Sequence, residues 1–119
     1  MARILLADDD AATREFAQRA LQMDGHAVVA VEDGLEALQH LESAHFDLLV
    51  SDLDMPGLDG YALVHRIASK QPALKILLMS GLGHELKRAA GLPSDRVATL
   101  GKPFTLDQMR QLVRGLIGA

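Results

Sequence analysis

The chain has no cysteine and no tryptophan, and its 119 residues include only one tyrosine and three phenylalanines. Without thiols there are no disulfides and no thiolate metal ligands, and redox chemistry leaves the compartment open. With so few rings, the core must be aliphatic. Long hydrophobic runs are missing too. No segment nears the about 18 apolar residues of a membrane-spanning helix, and the opening apolar stretch, Ile4-Leu5-Leu6-Ala7, meets three aspartates at once, which is no signal peptide. These features describe a protein that stays in the cytoplasm and takes no membrane partner. A basic excess is also lacking. Twelve Lys and Arg against sixteen Asp and Glu leave a net charge of −4, the wrong sign for a nucleic-acid groove.

What remains is an ordinary globular composition, 49% apolar and 24% charged, in a length that suits one domain with a real core. Residues 1–119 read as that single domain, and if they are the whole protein, no output domain is expected. Five strand-length apolar runs recur near residues 3–7, 27–31, 47–51, 75–79 and 96–100. Between them lie segments of helical period: Phe16, Ala17, Ala20 and Leu21 after Asp10; Leu35, Leu38 and Leu41 after Asp33; Leu63, Val64 and Ile67 after Gly60. A fourth such segment, with Leu82, Leu86 and Ala89, is crowded by Gly81, Gly83, Gly91 and Pro93, so a short or mobile helix is expected there. The last is best marked: Thr105 and Gln108 have capping-box spacing, and Leu106, Met109, Val113 and Leu116 form one stripe. Strict alternation implies an α/β fold, a parallel sheet with right-handed crossovers and helices on both faces. In such sheets ligands sit at the carboxyl ends of the strands.

Those ends carry the chemistry. The first run delivers Asp8-Asp9-Asp10, the third delivers Asp52 and then Leu53-Asp54, the fourth delivers Ser80, and the fifth delivers Lys102. Asp8, Asp9 and Asp52 close together would repel, and a hard cation resolves the conflict, with Mg²⁺ suited to one or two carboxylates beside a phosphate. Asp52 is the candidate nucleophile for an aspartyl phosphate, and Asp8 and Asp9 are the candidate metal acids. Ser80 and Lys102 could each bond a phosphoryl oxygen, and the backbone carbonyl of Asp54 could complete the metal shell before Pro56-Gly57.

These residues carry a resemblance. The chain resembles the receiver domain of a two-component response regulator over residues 3–118, on the acidic pair Asp8-Asp9, on Asp52 with Met55-Pro56-Gly57-Leu58-Asp59-Gly60, on Ser80, and on Lys102-Pro103-Phe104. The resemblance implies a single flavodoxin-like (βα)5 domain with strand order 2-1-3-4-5. It implies Mg²⁺-dependent transfer from a histidine kinase or histidine phosphotransferase onto Asp52, followed by slow self-catalysed hydrolysis. A signalling module is implied rather than an enzyme with an external substrate. An output partner is expected on the face of the fourth helix, fifth strand and fifth helix, with Arg110, Gln111 and Arg114 exposed there beside Lys87 and Arg88. A cis peptide between Lys102 and Pro103 is implied as well. Two departures stand out: Thr99 occupies the place of the usual switch aromatic, and Gly81 follows Ser80 where Ala is common. Within the family the chain is similar both to receivers of hybrid histidine kinases and to single-domain alphaproteobacterial regulators of proteolysis. The second likeness rests on Ala2–Ala7 and on Glu32–Leu38.

Two other readings stay open on the residues. Asp52-Leu53-Asp54 matches the nucleophile-x-acid pattern of haloacid dehalogenase-type phosphohydrolases, although that family places it on the first strand. A docking module that keeps the fold without phosphorylation is the other. Asp10 and Asp33 read as helix caps, Asp59-Gly60 as a turn and helix start, and the histidines at 26, 40, 45, 65 and 84 as surface residues without metal-ligand spacing.

Overall fold

The computed structural model describes residues 2–55, 58–68, 70–81 and 96–118. Among them run β1 (Arg3–Ala7), α1 (Ala11–Met23), β2 (Ala27–Val31), α2 (Gly34–Ser43), β3 (Leu48–Asp52), α3 (Gly60–Ile67), β4 (Lys75–Ser80), β5 (Val97–Gly101) and α4 (Leu106–Ile117). Each expected strand is present within a residue of its apolar run. The helix expected around Leu82–Ala89 lies outside the described residues.

Among the described residues the four strand pairings are parallel and the order is β2-β1-β3-β4-β5. The central strand β3 is buried along its whole length, as a strand covered on both faces must be. Side-chain alternation divides the sheet between two cores. Leu5, Leu49, Ile76 and Leu78 pack against Ala37 and Leu41 of α2 and Leu63, Val64 and Ile67 of α3. Ile4, Leu6, Val50, Leu77, Met79 and Leu100 pack against Ala17, Ala20 and Leu21 of α1 and Met109 and Val113 of α4.

Helix starts follow their local chemistry. Asp33 accepts the Glu36 N–H at 2.8 Å and Asp59 accepts the Ala62 N–H at 2.9 Å, so both are caps. Thr105 and Gln108 form the full capping box. Asp10 occupies the N-cap position of α1, but its side chain accepts the Thr13 hydroxyl at 2.5 Å instead of a backbone N–H.

Three sequence expectations need correction. Phe16 is 44% exposed and Leu35 55% exposed, outside both cores. For Leu35 the reason lies one residue earlier: a Cβ on Gly34 would stand 1.9 Å from the Leu58 carbonyl oxygen. That close approach fixes the rotation of α2, turning Gly34, Ala37 and Leu41 inward and Leu35 out. Arg110 is not a free surface cation. Its Nε lies 3.3 Å from Asp24 Oδ1 at the end of α1 and its side chain is mostly covered, whereas Arg114, 4.0 Å from the same carboxylate, is exposed as expected.

Candidate functional site

Strand parity assembles the site. Leu6, Val50 and Leu100 point into the core beneath α1 and α4, and two residues later the same parity gives Asp8, Asp52 and Lys102. The chain leaves β1 toward β2 on one side and returns to β3 on the other, so Asp8 and Asp52 flank the point where strand order reverses. Crevices of doubly wound sheets open there.

Asp8 is fully buried and Asp52 is 4% exposed. Carboxylate oxygens of Asp8, Asp9 and Asp52 lie within 4.8 Å of one another, the only such acid or histidine group among the described residues. Lys102 Nζ stands 3.1 Å from Asp8 Oδ2 and 3.1 Å from Asp52 Oδ2. Asp8 Oδ1 accepts the Asp10 N–H at 2.9 Å, and Asp52 Oδ1 accepts the Asp54 N–H at 3.2 Å. Asp54 therefore enters through its backbone, while its exposed carboxylate stays outside the cluster. Pro56 and Gly57 lie outside the described residues.

Ser80 is fully buried at the tip of β4, and its carbonyl accepts the Lys102 backbone N–H at 2.8 Å. Its parity is that of Ile76 and Leu78, one residue beyond Met79, the register partner of Asp52. The Lys102-Pro103 peptide is cis. Gly60 lets α3 start tight against β3: a Cβ there would meet the Asp52 carbonyl oxygen at 2.6 Å.

Burial is the main force on Asp52. It raises the carboxyl from 3.8 to about 6; the Asp54 N–H and Lys102 oppose the rise and the Asp8 charge adds to it. For Lys102 burial disfavours the ammonium, yet the Asp52 and Asp8 carboxylates outweigh it and hold its pKa above the ordinary lysine value. Among the described residues Lys102 is the one cation paired with these carboxylates, and negative charge is left over. The donors are all hard oxygens, one from an exposed residue that leaves a path to water. That set fits a small divalent cation such as Mg²⁺ and suits no soft metal.

Two features beside the cluster carry no clear signal in the sequence. Arg14 of α1 donates from Nη1 to the Asp8 carbonyl at 2.8 Å. A groove of about 480 Å³ opens beside Lys102, lined by Ala12, Thr13, Phe16, Pro103 and Phe104, with the Phe16 and Phe104 rings 6.2 Å apart at 55°. Phe16 was legible as an apolar helix residue but not as the wall of a groove, because its partner lies far along the chain.

A family model for the response regulator receiver domain matches residues 4–114. The chain is 37% identical over 115 residues to response regulator MprA of Mycobacterium ulcerans and equally to that of Mycobacterium avium, a match that takes in 97% of this chain. It spans 50% of those proteins, about half the length of the curated relatives it matches. Among solved structures, the receiver domain of Francisella response regulator 1452 superposes with a TM-score of 0.88 at 28% identity, covering 99% of this chain and 98% of that one. Response regulator protein TrrA of Thermotoga maritima, solved in complex with Mg(2+)-BeF, gives a TM-score of 0.86 at 31% identity over 98% of this chain and 99% of that one. No helix among the described residues is long and apolar enough to cross a membrane.

Proposed function

Because the chain belongs to the response regulator receiver domain family, we propose that it is a phosphorylation-dependent switch whose acceptor is Asp52. The observation that carries this reading is Lys102 Nζ at 3.1 Å from both Asp8 and Asp52 at the mouth of an acid cluster. The donor is a phosphohistidine on a histidine kinase or histidine phosphotransferase.

In the transfer, an Asp52 carboxylate oxygen attacks phosphorus, a P–O bond forms, and the P–N bond to the imidazole breaks. The imidazole nitrogen leaves with the electron pair and takes up a proton from solvent. Asp52, with its carboxyl at about 6, is mostly ionised at neutral pH and so nucleophilic. Lys102, held protonated by its two acids, is placed to pair with a phosphoryl oxygen once Asp52 is esterified. Ser80 supplies a hydroxyl at the neighbouring tip. Asp8, Asp9, Asp52 and the Asp54 carbonyl would hold Mg²⁺, which when bound supplies positive charge to the transferring group. The groove between Phe16 and Phe104 lies beside the path by which a donor reaches Asp52, and it offers an apolar seat there.

The aspartyl phosphate adds about 1.5 to 2 negative charges at the tips. That charge draws Lys102 and Ser80 toward it and biases the β4–β5 side of the sheet between two arrangements. The output partner reads the face that includes β5 and α4, and residues 1–119 leave the output to another module or protein. The setting is the cytoplasm. The phosphohydrolase reading is not favoured, since the Asp52-Leu53-Asp54 pattern stands at the end of β3 and not of the first strand, with Asp8 and Asp9 supplied ahead of it by the end of β1.

The test is intact mass after incubation with Mg²⁺ and a small acyl-phosphate donor. The reading expects one phosphoryl group per chain, absent without Mg²⁺ and absent in Asp52→Asn. Continuous release of phosphate without a protein adduct would indicate a hydrolase, and no adduct from either a small donor or a phosphohistidine protein would indicate a docking module.

A further inference from the structure

Asp8 is held at every polar atom. Its N–H donates to the Val31 carbonyl at 3.2 Å, Oδ1 accepts the Asp10 N–H at 2.9 Å, and Oδ2 accepts Lys102 Nζ at 3.1 Å. The remaining atom is the carbonyl oxygen, and Arg14 Nη1 donates to it at 2.8 Å. The Arg14 side chain is only 17% exposed, and its Nη2 lies 3.7 Å from Glu32 Oε1, just beyond the end of β2. One guanidinium therefore bridges the tip of β1 to the tip of the neighbouring edge strand.

The carbonyl that Arg14 holds belongs to the peptide between Asp8 and Asp9. A peptide is planar, so fixing that oxygen also fixes the direction in which the chain enters Asp9. From its place at the start of α1, Arg14 thus controls the aim of both acids while touching neither carboxylate. Groups that orient ligands in this way set metal affinity, and losing one typically weakens binding about 10–100-fold. The same residue carries a positive charge near the cluster, which by itself would repel a cation. The two effects have opposite signs.

We propose that Arg14 is a positioning residue for the divalent-cation site, aiming Asp8 and Asp9 through their shared peptide. This rests on the reading that these acids hold Mg²⁺. The test is Mg²⁺ affinity of the full chain by calorimetry, with Mg²⁺ alone as ligand, alongside the amide resonances of Asp8, Asp9 and Asp10 and a thermal unfolding curve for each variant. Arg14→Met is expected to bind Mg²⁺ about tenfold more weakly, the low end of the usual range, with shifted resonances at those three residues. Arg14→Lys keeps one donor for the carbonyl and is expected to recover most of the affinity. Glu32→Gln is expected to change affinity less than about twofold, because that ion pair is long and its acid exposed. If Arg14→Met does not fold, Arg14→Gln takes its place with the same expectation. Unchanged affinity in folded Arg14→Met overturns the proposal, and tighter binding overturns it in favour of plain charge repulsion. Absence of Mg²⁺ binding in the wild type removes the metal-site reading itself, and this inference with it.

Discussion

Replacing Asp52 with asparagine makes the Mg²⁺-free protein more stable at neutral pH. The carboxylate is buried beside Asp8, and one lysine serves both. Burial above all raises its pKa from 3.8 to about 6. A folded-state value above the unfolded one means that ionising Asp52 costs stability. That cost is absent below 3.8, grows between 3.8 and about 6, and is complete above it. A gap of about 2 pH units at about 1.4 kcal/mol each puts the cost near ~3 kcal/mol. Asparagine keeps the shape and an oxygen for the Asp54 N–H, and has no charge to desolvate. Urea unfolding in excess chelator at neutral pH then gives Asp52→Asn an advantage of about 2–3 kcal/mol, a midpoint higher by roughly 1–2 M at ordinary slopes. The advantage fades as pH falls through about 6 toward 3.8. Saturating Mg²⁺ also shrinks it, because the cation stabilises the wild type, which keeps all three carboxylates, more than the variant. A variant no more stable than wild type at neutral pH, or an advantage that ignores pH, refutes the reasoning.

Other consequences follow from single contacts. Gly34→Ala is expected to lose about 2 kcal/mol or more in urea unfolding, since its Cβ would lie 1.9 Å from the Leu58 oxygen; a neutral result would mean that α2 does not pack this closely. Arg96 donates to the carbonyls of Leu74, Ala68 and Gln71, so Arg96→Met strands them and is expected to cost about 2–3 kcal/mol. Phosphorylation of Asp52 at room temperature would be unchanged in that variant, because Arg96 bonds the end of α3 and the turn before β4, away from the strand tips. Asp54 places an exposed carboxylate two residues past the acceptor, where it can take a proton from attacking water. Asp54→Asn is expected to lengthen the aspartyl-phosphate lifetime several-fold in a decay assay, and an equal half-life would contradict that role.

Much of the site could be read from the chain because a strand has a period of two. Each apolar run ends in the residue that its own alternation carries onward, so Leu6 leads to Asp8, Val50 to Asp52 and Leu100 to Lys102. Parallel order then brings three distant positions to one edge. Caps were equally local: Asp33, Asp59 and Thr105 each bond a backbone N–H three residues on. Helix rotation was not local. The burial of Gly34 and the exposure of Leu35 depend on a carbonyl at Leu58, and the place of Phe16 depends on Phe104. Arg110 reads as a surface residue until α1 ends at Asp24 beside it. Arg14 gives no signal at all in a pattern of acids, because what it holds is a backbone oxygen.

The central claim is that Asp52 receives the phosphoryl group, and reductive trapping of the acyl phosphate tests it at the residue. The protein is loaded with a small acyl-phosphate donor and Mg²⁺, reduced with borohydride, digested and sequenced by mass. The account predicts homoserine at position 52 and at no other acid. Reduction at Asp8, Asp9 or Asp54, or a loaded protein with no reducible carboxyl at position 52, contradicts it.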